Sequence, residues 1–407
     1  MAKEAKKVQI IAQAYYARKD IQQAIFDFCK SREVVPNFNN KFFGKRPDML
    51  DYPSDIFNYA RQGATSFHCS EELWSNPLDI NTDMTPEQYN EIKTGWDFLI
   101  DIDSPFLDYG KIAARLLTNE LEKHGVKNYG IKFSGSKGFH IIIPFKAFPE
   151  SVGEELTKDK FPEWPRYIAG YLFQKIREPM NQEILRLTDR ETLKQKGELV
   201  SEHLCPKCGK PTTKKKFFKF ICSDPICKGK VEGPIKKRSV MLCPTCNAKM
   251  NLVEEREIDF CESCKINTAQ IEASTSNYGG QIIGGDATFK REDTIKSTED
   301  AVDVVLVSAR HLFRAPYSLH EKTALASTVL EKEEIENFQL KDADPLKVKV
   351  RNFLPLPEKD EAAELLRQSI EWGIKNAPKM SSTKWDGKPL DLQGVKITEN
   401  MLSLIHI

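Results

Sequence analysis

Apolar and polar positions along the chain change period several times, and each change predicts an element. Ile10, Ile11, Ala14, Ile21, Ile25 and Phe28 recur at three- and four-residue intervals and predict an opening helical stretch. The run Phe98-Leu99-Ile100-Asp101-Ile102-Asp103 starts as unbroken apolar sequence and ends in alternation, which predicts a buried strand with a polar end. Ile112, Leu116, Leu117 and Leu121 return to helical spacing, giving a helix over about 109–124. Two strand-like runs, 129–133 and 139–145, follow around a glycine-containing turn, and further helices are expected over about 165–198 and 361–375. The order strand, helix, hairpin predicts an α/β (α+β) fold, a mixed β-sheet with peripheral helices. Ser274 to Gly285, rich in Ser, Asn and Gly, reads as a flexible return to that sheet.

Composition narrows the class without deciding it. At 407 residues the chain can bury a sizeable core, and its net charge of +1 leaves the local distribution of Lys and Arg as the measure of nucleic-acid binding. No apolar run approaches the length of a membrane span and Met1 to Lys7 has no apolar leader, so a cytoplasmic, nucleoid-associated protein with no membrane partner is expected. The expected division is a core in two parts, 1–200 and 271–355, interrupted by a cysteine-rich insertion at 201–270 and followed by a helical segment at 356–401. The last six residues, 402–407, read like a translated sequencing adapter, and no function is taken from His406.

Two segments carry candidate chemistry. Alternate side chains of a strand share a face, so Asp101 and Asp103 point the same way, about 6 to 7 Å apart. Carboxylates ending so apolar a strand cost free energy unless they are paired or hold metal. Two of them can bracket magnesium or manganese, which complete their shells with water and substrate phosphate. In Phe133-Ser134-Gly135-Ser136-Lys137-Gly138-Phe139-His140 the glycines permit a tight turn whose N–H groups can face an anion, with Ser134, Lys137 and His140 as side-chain donors. Taken alone, a glycine hairpin with a buried histidine is an equally good reading of that segment.

Eight of the ten cysteines form two successive sets, Cys205, Cys208, Cys222, Cys227 and then Cys243, Cys246, Cys261, Cys264. Each opens with a C-P-x-C knuckle, the spacing of tetrahedral sulfur ligation to one or two structural zinc ions, and a cross-braced exchange between the sets is also open. Cys29 and Cys69 are expected in the core. Between Lys207 and Arg238 eleven basic residues face only Asp224 and Glu232, with Phe217, Phe218 and Phe220 interleaved among lysines. Such a patch either grips nucleic acid or is the solvated face of a small apolar core, and the two readings weigh equally. Glu254, Glu255, Glu257 and Asp259 make the second ribbon acidic.

The order of these elements resembles the small, catalytic subunit of the DNA primase of archaea and eukaryotes. That family carries an aspartate pair on one strand, an S-G-x-x-G-x-H turn, a zinc motif, then a third aspartate and a basic S-L-H segment. Here the last is Arg310-His311-Leu312-Phe313-Arg314-Ala315-Pro316-Tyr317-Ser318-Leu319-His320-Glu321-Lys322-Thr323, and Tyr15-Tyr16, Arg32-Glu33 and Lys45-Arg46-Pro47-Asp48 fall upstream in the family's order. The likeness runs over about residues 10 to 330. It implies Asp101, Asp103 and Asp303 as catalytic metal ligands, with Asp300 or Asp286 as alternatives to Asp303, which sits one residue closer to the S-L-H segment than in the family. It implies Ser134, Lys137, His140, Arg314, His320 and Arg46 as contacts to a nucleoside triphosphate. It further implies primer synthesis on a single-stranded DNA template, a heterodimer with a large primase subunit, and DNA polymerases that extend the primer. The family has one zinc motif in this place, so the second cysteine set departs from it. A stand-alone primase-polymerase, the polymerase domain of an end-joining ligase, or a non-catalytic zinc-ribbon adaptor are the alternatives.

Overall fold

Residues 2–38, 41–205, 212–234, 241–262, 264–267, 290–295, 298, 308–376, 390–392 and 395–397 are described in a computed structural model of the chain. Helices α1 (Ala2–Tyr16) and α2 (Lys19–Phe28) precede a hairpin of β1 (Val34–Phe38) and β2 (Phe42–Phe43), and α3 (Ser54–Arg61) leads into β3 (Ala64–Ser70). Next come β4 (Phe98–Ile102), α4 (Leu107–Lys123), β5 (Gly130–Phe133) and β6 (Phe139–Ile143). The long helix α5 (Glu163–Leu187) and the short α6 (Arg190–Gln195) lead to β7 (Leu199–Leu204) and a ribbon of β8 (Thr213–Cys222), β9 (Lys230–Gly233), β10 (Met250–Cys261) and β11 (Ile266–Asn267). The chain returns through β12 (Lys290–Ile295), β13 (Leu312–Arg314) and β14 (Val329–Leu330), and α7 (Ala363–Asn376) packs on α5.

Two four-stranded sheets, in the orders β13-β3-β1-β2 and β14-β5-β6-β4, form the body of the α/β fold. Each gains an edge strand from beyond the ribbon. The ladders within both are antiparallel, although a mixture of strand directions is expected from the sequence. The reason is local: the α4 crossover does make β4 and β5 run the same way, but hairpin strand β6 inserts between them.

Strand alternation divides β4 between two cores. Phe98, Ile100 and Ile102 pack with Ile112, Ala113 and Leu117 of α4 and with α5, whereas Leu99 joins Ile142, Phe67 and Phe313 under the first sheet and the N-terminal helices. Asp101 continues the Leu99 face, and Asp103 follows just beyond the end of the strand. Where the apolar pairing of Leu99 and Ile142 stops, that face turns polar and a cleft opens.

The two ends of the cysteine-rich segment lie side by side, because β7 pairs with β12 from Leu199 opposite Ile295 to Leu204 opposite Lys290. Cys29 and Cys69 are buried. No helix among the described residues is long and apolar enough to cross a membrane. The stretch from Ser274 to Gly285, the acids Asp286, Asp300 and Asp303, and residues 402–407 lie outside the described residues.

Candidate active site

A cleft of about 400 Å3 is lined by Asp101, Asp103, Ser134, Ser136, Lys137, His140, Arg314 and His320, together with His68, His311 and the backbone-proximal Ile102, Leu312 and Phe313. Seven of these are the residues singled out from the sequence. Ile102 is fully buried and ends β4, Asp103 follows just past the strand, and both aspartates line the same space. This donor set fits a hard divalent cation that takes few protein oxygens and leaves the remaining positions to water and phosphate.

The turn opposite is held from behind. Ser134 N donates to Gly138 O at 3.0 Å, and Gly138 N donates to Ser134 Oγ at 3.2 Å. Gly135 has φ +102, a conformation that favours glycine, and its carbonyl accepts from Thr323 Oγ1 at 2.6 Å. The Ser134 carbonyl accepts from Arg314 Nε at 3.0 Å. With both carbonyls engaged by the 314–323 segment, the turn offers the cleft its side chains, including the exposed Lys137.

Arg314 is a strap more than a free donor. Besides Ser134 it donates to Leu319 O at 3.0 Å and grips Glu321 through Nη1 and Nη2 at 2.9 and 2.8 Å. Glu321 also meets His68 Nε2 at 2.9 Å. Burial alone would raise the Glu321 carboxyl, but bonds from His68 and Arg314 hold it well below the usual range. Burial beside Arg314 lowers His68 to about 4, so this imidazole is neutral.

His320 is neutral by the same causes, burial first and Arg314 second, at about 4. Its Nδ1 accepts from the backbone N–H of Lys322 and Thr323 at 3.2 and 3.4 Å, so its proton is on Nε2. His140 is pushed well below its ordinary value by burial and by Lys132 and Arg314. Its Nε2 stands 3.4 Å from Asp101 Oδ1. Lys132 behind it is lowered to about 7, chiefly by burial and then by Arg314.

Arg46 does not line the cleft. It pairs with the fully buried Glu33 at 2.8 and 2.9 Å and donates to the Arg310 carbonyl at 2.6 Å, while Arg310 grips the same Glu33 at 3.1 Å. Arg32, next to Glu33, is buried against Asp97. Arg46 and Arg32 are thus each tied to a buried acid.

The cysteines group differently from their order. Cys222, Cys227, Cys243 and Cys246 bring four sulfurs within 4.8 Å of one another, and Cys205 gathers with Cys261 and Cys264. The two successive sets are replaced by nested pairs, because hairpin pairing of β8 with β10 brings their ends together at Cys222 opposite Met250 and at Thr213 opposite Phe260. Cys208 lies outside the described residues. Four mutually close thiolates fit tetrahedral zinc, and a Cβ on Gly229 would press on Cys243 Sγ at 2.5 Å.

The basic patch of β8 proves to be compensated. Lys214 pairs with Asp259 at 2.9 Å, Lys215 with Glu262 at 2.6 Å and Lys216 with Glu255 at 3.1 Å, and Lys219 sits opposite Glu254. Phe217, Phe218 and Phe220 are buried. Phe218 and Phe220 fill a small core with Cys222, Cys243 and Met250, while Phe217 lies against Arg256.

No family model matches the chain. A curated relative, the uncharacterized protein MJECS07 of Methanocaldococcus jannaschii, is 29% identical over 147 residues, 35% of this chain and 31% of that protein. The match therefore spans less than a third of the relative's length. Among solved structures, the polymerase domain from Mycobacterium tuberculosis Ligase D in complex with DNA covers 88% of both chains at 11% identity, with a TM-score of 0.36. Likeness at that level carries no argument, and the functional reading rests on the cleft.

His68, His311 and Glu321 are the parts sequence reasoning missed. His311 lines the cleft with Nδ1 on Glu71 Oε1 at 2.9 Å. His68 pairs in register with Arg314, 246 positions away in sequence. Only the resemblance of the 310–323 segment pointed near them, and it named Arg314 and His320 alone.

Proposed function

We propose that the chain is a template-directed nucleotidyltransferase, the catalytic subunit of a DNA primase that makes short primers on single-stranded DNA. One observation carries this reading: Asp101 and Asp103 share a cleft with the Ser134 to His140 turn and His320. Acidic oxygens and anion donors facing one space suit a phosphoryl transfer with divalent metal. Asp101 and Asp103 would hold magnesium or manganese, with Asp303 or a neighbouring acid as third ligand. When bound, such ions activate the primer 3′ hydroxyl and offset the charge of the departing pyrophosphate.

The chain's own groups do the positioning. Lys137 is an exposed point charge for a phosphate, and Ser134 and Ser136 are hydroxyl donors on the same turn. His320 donates through Nε2–H without bringing charge. Arg314 keeps the turn and the 319–321 loop in mutual register, so its contact with the triphosphate is secondary to its bracing. Arg46, tied to Glu33, is set aside as a nucleotide contact.

Residues 1–200 and 271–355 would form the catalytic core, 201–270 an inserted module with one or two structural zinc ions, and 356–401 a helical appendage. The large primase subunit and DNA polymerases are the protein partners this reading calls for. Incorporation of nucleotides on unprimed single-stranded DNA, with magnesium or manganese supplied, tests it. Replacement of Asp101 and Asp103 by alanine together should abolish incorporation; retention would defeat the proposal. Activity confined to pre-primed template would favour an end-joining-type polymerase, and absence of any metal-dependent triphosphate binding would favour an adaptor.

A further inference from the structure

Lys132 is fully buried behind the cleft, and the reaction outlined above makes no use of it. Register sets it in a row with His140 and Asp101 across β5, β6 and β4, so the three side chains share one face of the sheet. Its Nζ stands 2.9 Å from His140 Nδ1 and 2.9 Å from Ser327 Oγ. The Ser327 hydroxyl donates its single proton to the Phe133 carbonyl at 2.7 Å, so towards Lys132 it can only accept. As an ammonium the Lys132 nitrogen has an N–H for each neighbour and no lone pair, so Nδ1 of His140 is an acceptor. The remaining ring proton belongs on Nε2, the atom that faces Asp101 Oδ1 at 3.4 Å.

We propose that Lys132 is a positioning residue that fixes the tautomer of His140 and so keeps an Nε2–H donor aimed into the cleft for a phosphate oxygen of the incoming nucleotide. The ligand in this statement rests on the proposed function; the tautomer does not. Burying an amine is unfavourable unless its protons are satisfied, and here two acceptors take them while the rings of Phe313 and Phe353 stand 5.7 and 5.6 Å from Nζ. Packing alone would be met by methionine, which has the same reach and no polar demand.

The test is a two-bond proton–nitrogen spectrum of the full chain carrying isotope-labelled histidine, with the His140 signals assigned through His140→Gln. The expected wild-type pattern for His140 is a pyridine-like Nδ1 and a pyrrole-like Nε2. Lys132→Met should lose this single tautomer and weaken binding of a magnesium nucleoside triphosphate about tenfold. In the His140→Gln background, where an amide supplies the donor without an Nδ1, adding Lys132→Met should change that affinity by less than about twofold. A wild-type His140 protonated on Nδ1 overturns the assignment, and that spectrum decides even if the variant fails to fold. A single Nε2–H tautomer that survives in Lys132→Met overturns it as well. An intact wild-type tautomer in a protein that binds no triphosphate would instead defeat the proposed function and leave the Lys132–His140 pair standing.

Discussion

Gly138 lies so close to Ile102 that a Cβ at position 138 would overlap the Ile102 carbonyl oxygen. The glycine that ends the turn is thus required by the strand bearing the aspartates, and turn and strand are set at a fixed spacing by direct backbone contact. Gly138→Ala should force them apart, destabilising the chain by about 1–3 kcal/mol and lowering triphosphate affinity more than it lowers helix content. Urea unfolding alongside nucleotide titration measures both; an unchanged affinity would mean the spacing is immaterial.

Stability should fall as the solution is acidified through the range set by His68. The folded protein holds this imidazole at about 4, below its ordinary 6.5, so between those values the unfolded chain binds a proton that the folded chain declines. The loss attributable to this side chain is at most about 1.4 kcal/mol per pH unit as pH drops through that window. Glu321, depressed by its partners, adds a loss in the same direction once pH falls below its unfolded value. Denaturant midpoints from pH 7 to 4 should decline less steeply in His68→Gln than in the wild type.

The nested cysteines make a prediction that successive sets would not. Cys227→Ser and Cys246→Ser should each remove the same zinc equivalent, and Cys261→Ser a different one. Metal content by atomic emission, singly and in the double variant of Cys227 and Cys246, distinguishes the two: loss that adds in the double variant would restore the successive arrangement.

Replacing Lys214, Lys215, Lys216 and Lys219 by alanine together should alter the salt dependence of single-stranded DNA binding by less than about one phosphate equivalent, because the first three are already paired with Asp259, Glu262 and Glu255 and Lys219 lies opposite Glu254. Fluorescence anisotropy across a salt series gives the slope. A fall of several equivalents would return these lysines to the nucleic-acid interface.

What could be read from the sequence was whatever a short window contains. The apolar run ending at Asp101 and Asp103, the spacing of Ile112 to Leu121 and the glycines at 135 and 138 specify strand, helix and turn locally, and those elements stand within a few residues of expectation. Partnerships across the chain were illegible for a physical reason: His68 meets Arg314 and Glu321 only because β13 completes the first sheet beside β3. The ion pair of Arg46 with Glu33, thirteen residues upstream, is likewise outside any short window. The ribbon misled in the same way. Lysine clusters read as basic until β8 is laid against β10, and cysteine order reads as pairing until the hairpin folds it back.

The ladder of β7 with β12 has a consequence for how such a chain can vary. Its two strands leave and re-enter the body next to each other, from Leu204 beside Lys290, so residues gained or lost between them need not change the spacing of these two points. An extra metal-binding knuckle can be grafted there, or one trimmed away, while the aspartates keep their place opposite the turn.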